Sequence, residues 1–252
     1  MSLTKKRWNN KKCTESRTCD INDKFKDKHC VNTLEQEICE SRIELDKWLR
    51  EIYGDSYGNF HGENDIGYDH WDRIEKLLKK VFESENHHAL ADSCLDDILF
   101  LISRSDEGGR IIAWLHPNVK PLSHIADLTI ENFIVLCKHA IKSGEDFCDY
   151  QLAYCFHKFD SLSKDLEELL IGLFKKDAVY TKRLALESLA KHRVPNLENY
   201  ITELWATNDE WAGLNCLDAL KVSGCNDELF NKYREKLLKS NDEHIRTNAE
   251  SI

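Results

Sequence analysis

The residue types that most often carry catalysis or bind metals occur in this chain without their usual partners. The segment His61-Gly62-Glu63 has the His-x-Glu order of zinc deaminase sites, but the Pro-Cys-x-x-Cys segment that completes such a site is missing. Four N-terminal cysteines could bind zinc together with His29, yet they include no Cys-x-x-Cys pair, whereas structural zinc sites usually pair their ligands closely. They are Cys13, Cys19, Cys30 and Cys39. Ordinary reduced thiols are the favoured interpretation, and we predict no metal.

Motifs for cofactors and nucleophilic catalysis are also missing from the sequence. The chain contains no Gly-x-Gly-x-x-Gly segment, no glycine-rich phosphate loop ending in Lys-Ser/Thr and no Gly-x-Ser-x-Gly elbow. We therefore predict no cofactor and no catalytic residue, and a non-enzymatic protein is favoured over an enzyme.

The elements that would position any site are helices, and the last four hairpins repeat one pattern. An apolar position recurs at steps of 33, 31 and 32 residues. These anchor residues are Phe156, Leu189, Leu220 and Ile252. The residue before each anchor is small, and an acidic or polar turn precedes each unit. A period of this length predicts stacked hairpins, because a single hairpin cannot bury its apolar face alone.

The pattern divides the chain into a polar arm and one helical domain. Residues 1–32 are charged and aperiodic, which predicts a loosely ordered basic arm. Residues 33–252 are predicted to form a single helical-repeat domain, with clear repeats over about 124–252 and divergent helices over 33–123. The divergent helices are predicted at about 34–53, 69–84 and 87–103. The hairpins' first helices are predicted at about 124–143, 163–175, 195–206 and 226–239, and their second helices at about 146–158, 178–191, 210–222 and 242–252.

Features within the hairpins resemble a known repeat family. Two second helices carry an arginine after the polar turn, Arg183 and Arg246, and three end in related apolar-x-small-apolar segments, 186–189, 217–220 and 249–252. This pattern resembles the HEAT-like family of α-solenoids over roughly residues 105–252. The resemblance implies an all-α fold, a right-handed α-α superhelix of stacked helical hairpins (a HEAT/armadillo-like solenoid). It implies a binding surface more often than chemistry. Di-iron hydroxylases of this family carry repeated His-Glu dipeptides, which this chain lacks.

The second helices would line the concave face of such a solenoid. Positions nine, six and two residues before each anchor lie roughly opposite it, and they hold mainly aromatic, arginine and acidic residues. Aromatic and arginine side chains are the types that most often carry interface energy. The predicted partner-binding residues are Phe147, Tyr150, Tyr154, Tyr180, Arg183, Glu187, Trp211, Asp218, Arg246 and Glu250. For Phe147, Tyr180 and Trp211, packing on the adjacent hairpin is favoured over exposure, because most aromatics in helical proteins are buried. The acidic residues Glu187, Asp218 and Glu250 are expected to be exposed.

A loop at residues 54–68 is the second candidate surface. It contains four of the ten glycines and keeps the aromatic side chains Tyr57, Phe60 and His61. Long loops that retain aromatic residues are often functional, and a disordered connection is an equally good interpretation.

Charge is distributed unevenly along the chain. Residues 1–30 contain nine basic and four acidic residues, and the remainder contains 26 basic and 41 acidic residues, a net charge of −15. A body this acidic repels phosphate backbones and attracts basic surfaces, although the same charge would also simply keep a helical protein soluble. We therefore predict a protein-binding solenoid whose partner is a basic protein.

The resemblance suggests two more specific roles. Small acidic HEAT-like proteins of this kind look like bacterial immunity or adaptor proteins, in which the solenoid neutralises a basic toxin or nuclease. The alternative is a HEAT-like DNA glycosylase, but the predicted surface has few cations beyond Arg183 and Arg246, which argues against nucleic acid. No membrane-spanning stretch or secretory signal is visible, so a cytoplasmic location is predicted, while the oligomeric state stays open.

Overall fold

The computed structural model of the chain describes six segments. These are residues 33–54, 67–83, 90–104, 130–143, 148–224 and 226–252. Within them all regular secondary structure is α-helical apart from short turns, which confirms the predicted all-α class. The predicted arm, the loop residues Tyr57, Phe60 and His61, and the candidate Phe147 lie outside the described residues.

The helices follow the predicted order closely. The N-terminal ones are α1 (Thr33–Tyr53), α2 (Trp71–Glu83) and α3 (Asp92–Ser103). The first helices of the hairpins are α4 (Ile130–Lys142), α6 (Lys164–Phe174), α8 (Leu197–Trp205) and α10 (Asp227–Leu237). The second helices are α5 (Asp149–Phe156), α7 (Val179–Lys191), α9 (Glu210–Ser223) and α11 (Glu243–Ser251).

The polar turns before the last two second helices, α9 and α11, supply side-chain caps. Asp209 accepts a hydrogen bond from the backbone N–H of Ala212 at 2.7 Å, and Asp242 accepts one from His244 at 2.8 Å. These side chains satisfy amide groups that the first turn of a helix leaves unpaired. The caps explain why α9 and α11 begin one residue after an aspartate.

Each second helix contacts the second helices before and after it in the chain. Helix α7 packs against α5 and α9 as well as against its hairpin neighbours α6 and α8, and α9 likewise packs against α11. In the N-terminal part, α1 packs against both α2 and α3, and α3 continues the contacts to α4. The described helices therefore contact one another in chain order.

The predicted anchors form the interior of this arrangement. Phe156, Leu189 and Leu220 are at most 1% exposed, while Ile252 is partly buried against the same core. The ring of Phe156 lies 5.2 Å from that of Phe133 in α4, measured between centroids. The repeat column therefore marks core positions, as the 31- to 33-residue spacing predicts.

A buried lysine connects three helices. Lys176, in the turn between α6 and α7, places its ammonium 3.2 Å from the carboxylate of Asp149 at the start of α5. It also donates to the carbonyl oxygens of Ala140 and Ser143, at 3.0 and 2.9 Å, at the C-terminal end of α4. Asp149 is fully buried, so this lysine neutralises a carboxylate that water does not reach.

Helices α9 and α10 approach closely at a glycine. A methyl group on Gly213 would lie 3.0 Å from Leu237 Cδ2 and 3.1 Å from Trp205 Cζ3. The Trp205 ring is stacked on Tyr233, with centroids 3.6 Å apart and planes 1° from parallel. Glycine at this position therefore permits α10 to reach α9 while the stacked rings stay in place.

Candidate functional site

Four side chains from three successive second helices form a continuous row. The ring centroids of Tyr150 in α5 and Tyr180 in α7 are 5.3 Å apart. The Arg183 guanidinium carbon lies 5.3 Å from the Tyr180 centroid and 6.0 Å from that of Trp211 in α9. Both distances fit cation–π contacts, so one cation bridges aromatic rings of two helices.

A polar network continues from this row along α7 and α9. Arg183 Nε donates to Asn215 Oδ1 at 2.6 Å, and Asn215 Nδ2 donates to Glu187 Oε1. Asp218 stands three residues after Asn215, on the same side of α9. We call the surface formed by these side chains the second-helix face. It comprises Tyr150, Tyr154, Tyr180, Arg183, Glu187, Trp211, Asn215 and Asp218.

The two carboxylates of this face are poorly stabilised as anions. Burial raises the pKa of Glu187, and the nearby charge of Asp218 raises it further, against the opposing influence of Arg183 and the Asn215 hydrogen bond. Burial also raises the pKa of Asp218, although Lys221 lowers it. Among the residues that the structure describes, neither carboxylate makes an ion pair within 4.0 Å. A cation arriving from a partner would therefore meet two carboxylates without a bound counter-charge.

Three aromatic side chains of the predicted set are substantially exposed. Tyr180 is 50% exposed, Tyr154 45% and Trp211 44%. The favoured interpretation of core packing was therefore wrong for Tyr180 and Trp211. Their helix positions lie on the side of α7 and α9 that no described helix covers. The Lys158 ammonium lies 5.2 Å from the Tyr154 centroid, which leaves that ring partly engaged within its own hairpin.

The other predicted residues take different roles. Tyr150 is half-buried, and Asp218 and Glu250 are exposed as expected. Glu187 is half-buried instead of exposed, and its carboxylate accepts a hydrogen bond from the buried Asn215 of the adjacent helix. Arg246 donates to the carbonyl oxygen of Ser240 at 2.8 Å, so it secures the turn between α10 and α11.

Asn215 is the residue of this network that the sequence did not reveal. It is 8% exposed and connects Arg183 to Glu187. The position carries no repeat signal, since the equivalent residues are Gln151, Leu184 and Thr247. The one sequence feature that marks Asn215 is that a polar residue stands between two apolar ones, Leu214 and Cys216, which are both buried.

The five buried thiols of the described segments are not arranged for nucleophilic chemistry. Burial raises the pKa of Cys94, Cys155 and Cys216 to about 12, and it raises the pKa of Cys137 and Cys148 well above the ordinary value. A thiol must lose its proton to act as a nucleophile, so these groups behave as core side chains. No group of three or more His, Cys, Asp or Glu side chains suited to a metal occurs in the described segments.

Two shallow surface depressions lie away from the second-helix face. One, of about 520 Å³, is lined by the α7–α8 connection and the start of α8, including Arg193 and Asn196. The other, of about 410 Å³, lies beside α2 and includes His70 and Arg73. Neither contains a residue of the second-helix face. What that face offers chemically is therefore an open surface of aromatic rings and carboxylates.

Comparisons with known proteins add no relative from which a role could be transferred. No protein-family model, no curated protein and no solved structure matches the chain. Among the described helices, none combines the length and apolar character needed to cross a bilayer.

Proposed function

We propose that this protein binds a basic protein partner through the second-helix face, without catalysing a reaction. One observation carries the proposal. The three most exposed tyrosine, tryptophan or phenylalanine side chains among the described residues are Tyr154, Tyr180 and Trp211, and they lie on α5, α7 and α9. When a partner covers large half-exposed rings, their apolar surface is removed from water, which favours binding. Tyrosine and tryptophan commonly dominate interface energies.

The charges next to these rings favour a basic partner over an acidic one. Glu187 and Asp218 lie on adjacent helices, and the charge of Asp218 adds to burial in raising the pKa of Glu187. Lysine or arginine side chains of a partner would relieve this repulsion and would be steered by the acidic body during encounter. The rings would contribute most of the affinity, and the carboxylates would contribute association rate and specificity.

The contacts of the hairpins support a solenoid as the scaffold for this surface. Helix α7 packs on α5 and α9, and α9 packs on α11, so the second helices form one layer. We infer that the hairpins stack as a right-handed superhelix of the HEAT-like kind, with this layer carrying the binding surface. An adaptor, or an immunity protein that neutralises a basic toxin, is the form that such binding would take.

The nucleic-acid alternative receives less support from the same residues. The two arginines that would contact phosphates are engaged within the protein. Arg183 lies between two rings and donates to Asn215, and Arg246 donates to a turn carbonyl. A phosphate backbone would also meet Glu187 and Asp218, and each phosphate contact needs a free cation.

The test compares three forms of the protein as baits in a lysate of the source cell. The forms are the wild type, a face variant (E187Q/D218N/W211A) and a control variant (E198Q/E235Q) that removes two exposed carboxylates from α8 and α10. We expect a stoichiometric basic protein that the wild type and the control retain and the face variant loses. Its affinity, remeasured with purified proteins by calorimetry, should fall as salt rises.

Two outcomes would contradict the proposal. One is a partner that the face variant retains as well as the wild type does, which would place the binding surface elsewhere. The other is cargo consisting of nucleic acid alone, released by nuclease treatment.

A further inference from the structure

One cation contacts both of the exposed rings that belong to different helices. The Arg183 guanidinium lies 5.3 Å from the Tyr180 centroid and 6.0 Å from the Trp211 centroid, and both rings are about half exposed. Its Nε–H is directed to Asn215, whose side chain is almost fully buried. The guanidinium is thus held at one end by a buried amide and lies against two rings.

This arrangement matters because an exposed tryptophan without support samples several rotamers. Immobilising such a side chain on binding costs conformational entropy, which reduces affinity unless the ring is already ordered. Among the described residues, the ring of Trp211 has no aromatic neighbour within stacking distance, and Arg183 supplies its cation contact. The orientation of Trp211 therefore depends on the arginine of the neighbouring helix.

We propose that Arg183 is a positioning residue that orders Tyr180 and Trp211 before the partner arrives. This inference rests on the proposed function, because it assigns the ordered rings to binding of a basic protein. Arg183 itself does not contact the partner's cation. It fixes the two rings directly and fixes the Glu187 carboxylate through Asn215, and these groups receive the cation. A planar guanidinium suits this role, since it can lie against a ring while its Nε–H donates sideways.

The next hairpin supplies a natural contrast at the same repeat position. Arg246 occupies the position of Arg183, but the residue equivalent to Trp211 and Tyr180 is Glu243. Without a ring to contact, Arg246 donates to the Ser240 carbonyl at 2.8 Å. The arginine at this position therefore bridges rings only where both neighbouring hairpins provide them.

The first arm of the test measures the mobility of the Trp211 indole directly. The ¹⁵N relaxation of its N–H group, assigned with W211F, is compared in the wild type, R183A, R183K and R246A. We expect the order parameter of the indole N–H to be about 0.85 in the wild type and below about 0.6 in R183A, with R183K between them. R246A is the matched control and should leave the value unchanged. An unchanged value in R183A would overturn the positioning role.

The second arm measures binding of a defined probe, a terminally capped hexa-arginine peptide, at low salt. We expect R183A to weaken binding about three- to tenfold, because the rings must be ordered on binding. R246A should bind as the wild type does, and circular dichroism verifies that each variant is folded. Mobile rings in R183A with unchanged peptide affinity would overturn the inference.

The two arms separate this inference from the proposed function. If W211A and the wild type bind the peptide equally, or if neither binds it, the proposed function is contradicted at this face. In that case the relaxation data still report whether Arg183 orders the ring. If W211A abolishes binding while R183A has no effect in either arm, the face stands and the positioning role is wrong.

Discussion

The buried ion pair between Lys176 and Asp149 yields the largest stability effect that we expect in this protein. The perturbation is K176M, which keeps most of the side-chain stem and removes the charge. In the native structure the Lys176 side chain is 12% exposed and that of Asp149 is 1% exposed. The variant therefore removes the ammonium group that lies beside a buried carboxylate, together with the hydrogen bonds that Lys176 donates to the carbonyl oxygens of Ala140 and Ser143.

The magnitude follows from the burial of the partner that remains. Removing one member of a buried pair typically costs about 3–5 kcal/mol, because the other charge is left unpaired in a low-dielectric interior. That is a large part of the roughly 5–15 kcal/mol that separates folded from unfolded states in ordinary domains. The double variant D149N/K176M removes both charges of this pair. We expect it to be about 1–3 kcal/mol more stable than K176M alone.

The assay is urea unfolding followed by far-ultraviolet circular dichroism, with hydrogen exchange to locate the loss. The adjacent K175M is the matched control, because the Lys175 side chain is 53% exposed and pairs with the exposed Glu203. Exposed pairs contribute about 0–1 kcal/mol, so K175M should lie in that range. A K176M variant that loses less than about 1 kcal/mol, or a double variant no more stable than K176M, would refute the reasoning.

Three further predictions concern the C-terminal hairpins. R193G should stabilise the protein by about 0.5–1 kcal/mol in urea unfolding, because Arg193 follows α7 at a positive φ of 52°, a conformation that glycine adopts with less strain. G213A should lower the melting temperature. Alanine gains about 1 kcal/mol in helix propensity, but its methyl group overpacks against Leu237 and the stacked Trp205, which costs about 1–3 kcal/mol. E187Q should stabilise the protein at neutral pH, because burial and Asp218 raise the pKa of the carboxylate and so disfavour its ionised form. In urea unfolding at several pH values, this advantage over the wild type should shrink as pH falls through the raised pKa, where the native carboxyl group gains its proton.

Each of these predictions has a result that would count against it. An R193G variant less stable than the wild type would mean that the Arg193 side chain makes a contact worth more than the strain. For G213A the comparison is G172A, whose new methyl group would lie 2.8 Å from the flexible Ile141 side chain. If both variants lower the melting temperature equally, the rigid Trp205–Tyr233 stack is not the cause of the loss in G213A. An E187Q advantage that grows toward acid pH would have the wrong sign for a raised pKa.

Much of the helical framework could be predicted from local pattern. The anchors Phe156, Leu189 and Leu220 are buried, and the turn aspartates Asp209 and Asp242 cap the helices that follow them. These features depend on residues within one or two helical turns of each other, so a single sequence contains the information.

The exposure of individual face residues was harder to predict. Core packing was favoured for Tyr180 and Trp211, and both are about half exposed. Glu187 was expected in solvent and is half-buried, with its carboxylate hydrogen-bonded to Asn215. A small rotation of one helix about its axis would bury the exposed rings and expose the half-buried carboxylate. Helical periodicity in the sequence does not specify that rotation to within one residue. The superhelical path and the partner stay proposals.

By itself the sequence determined about where the described helices lie, which column of residues enters the core and that a polar turn precedes each second helix. The tertiary structure alone decided which side chains meet across helices. Trp211 reaches Arg183, and Lys176 reaches Asp149, over separations of about 28 residues in the chain. Such contacts depend on how neighbouring helices are offset and rotated, which is set by the packing of whole hairpins. For that reason the aromatic rings and Arg183 could be proposed from the sequence, while the contacts that join them and the role of Asn215 became visible only in the fold.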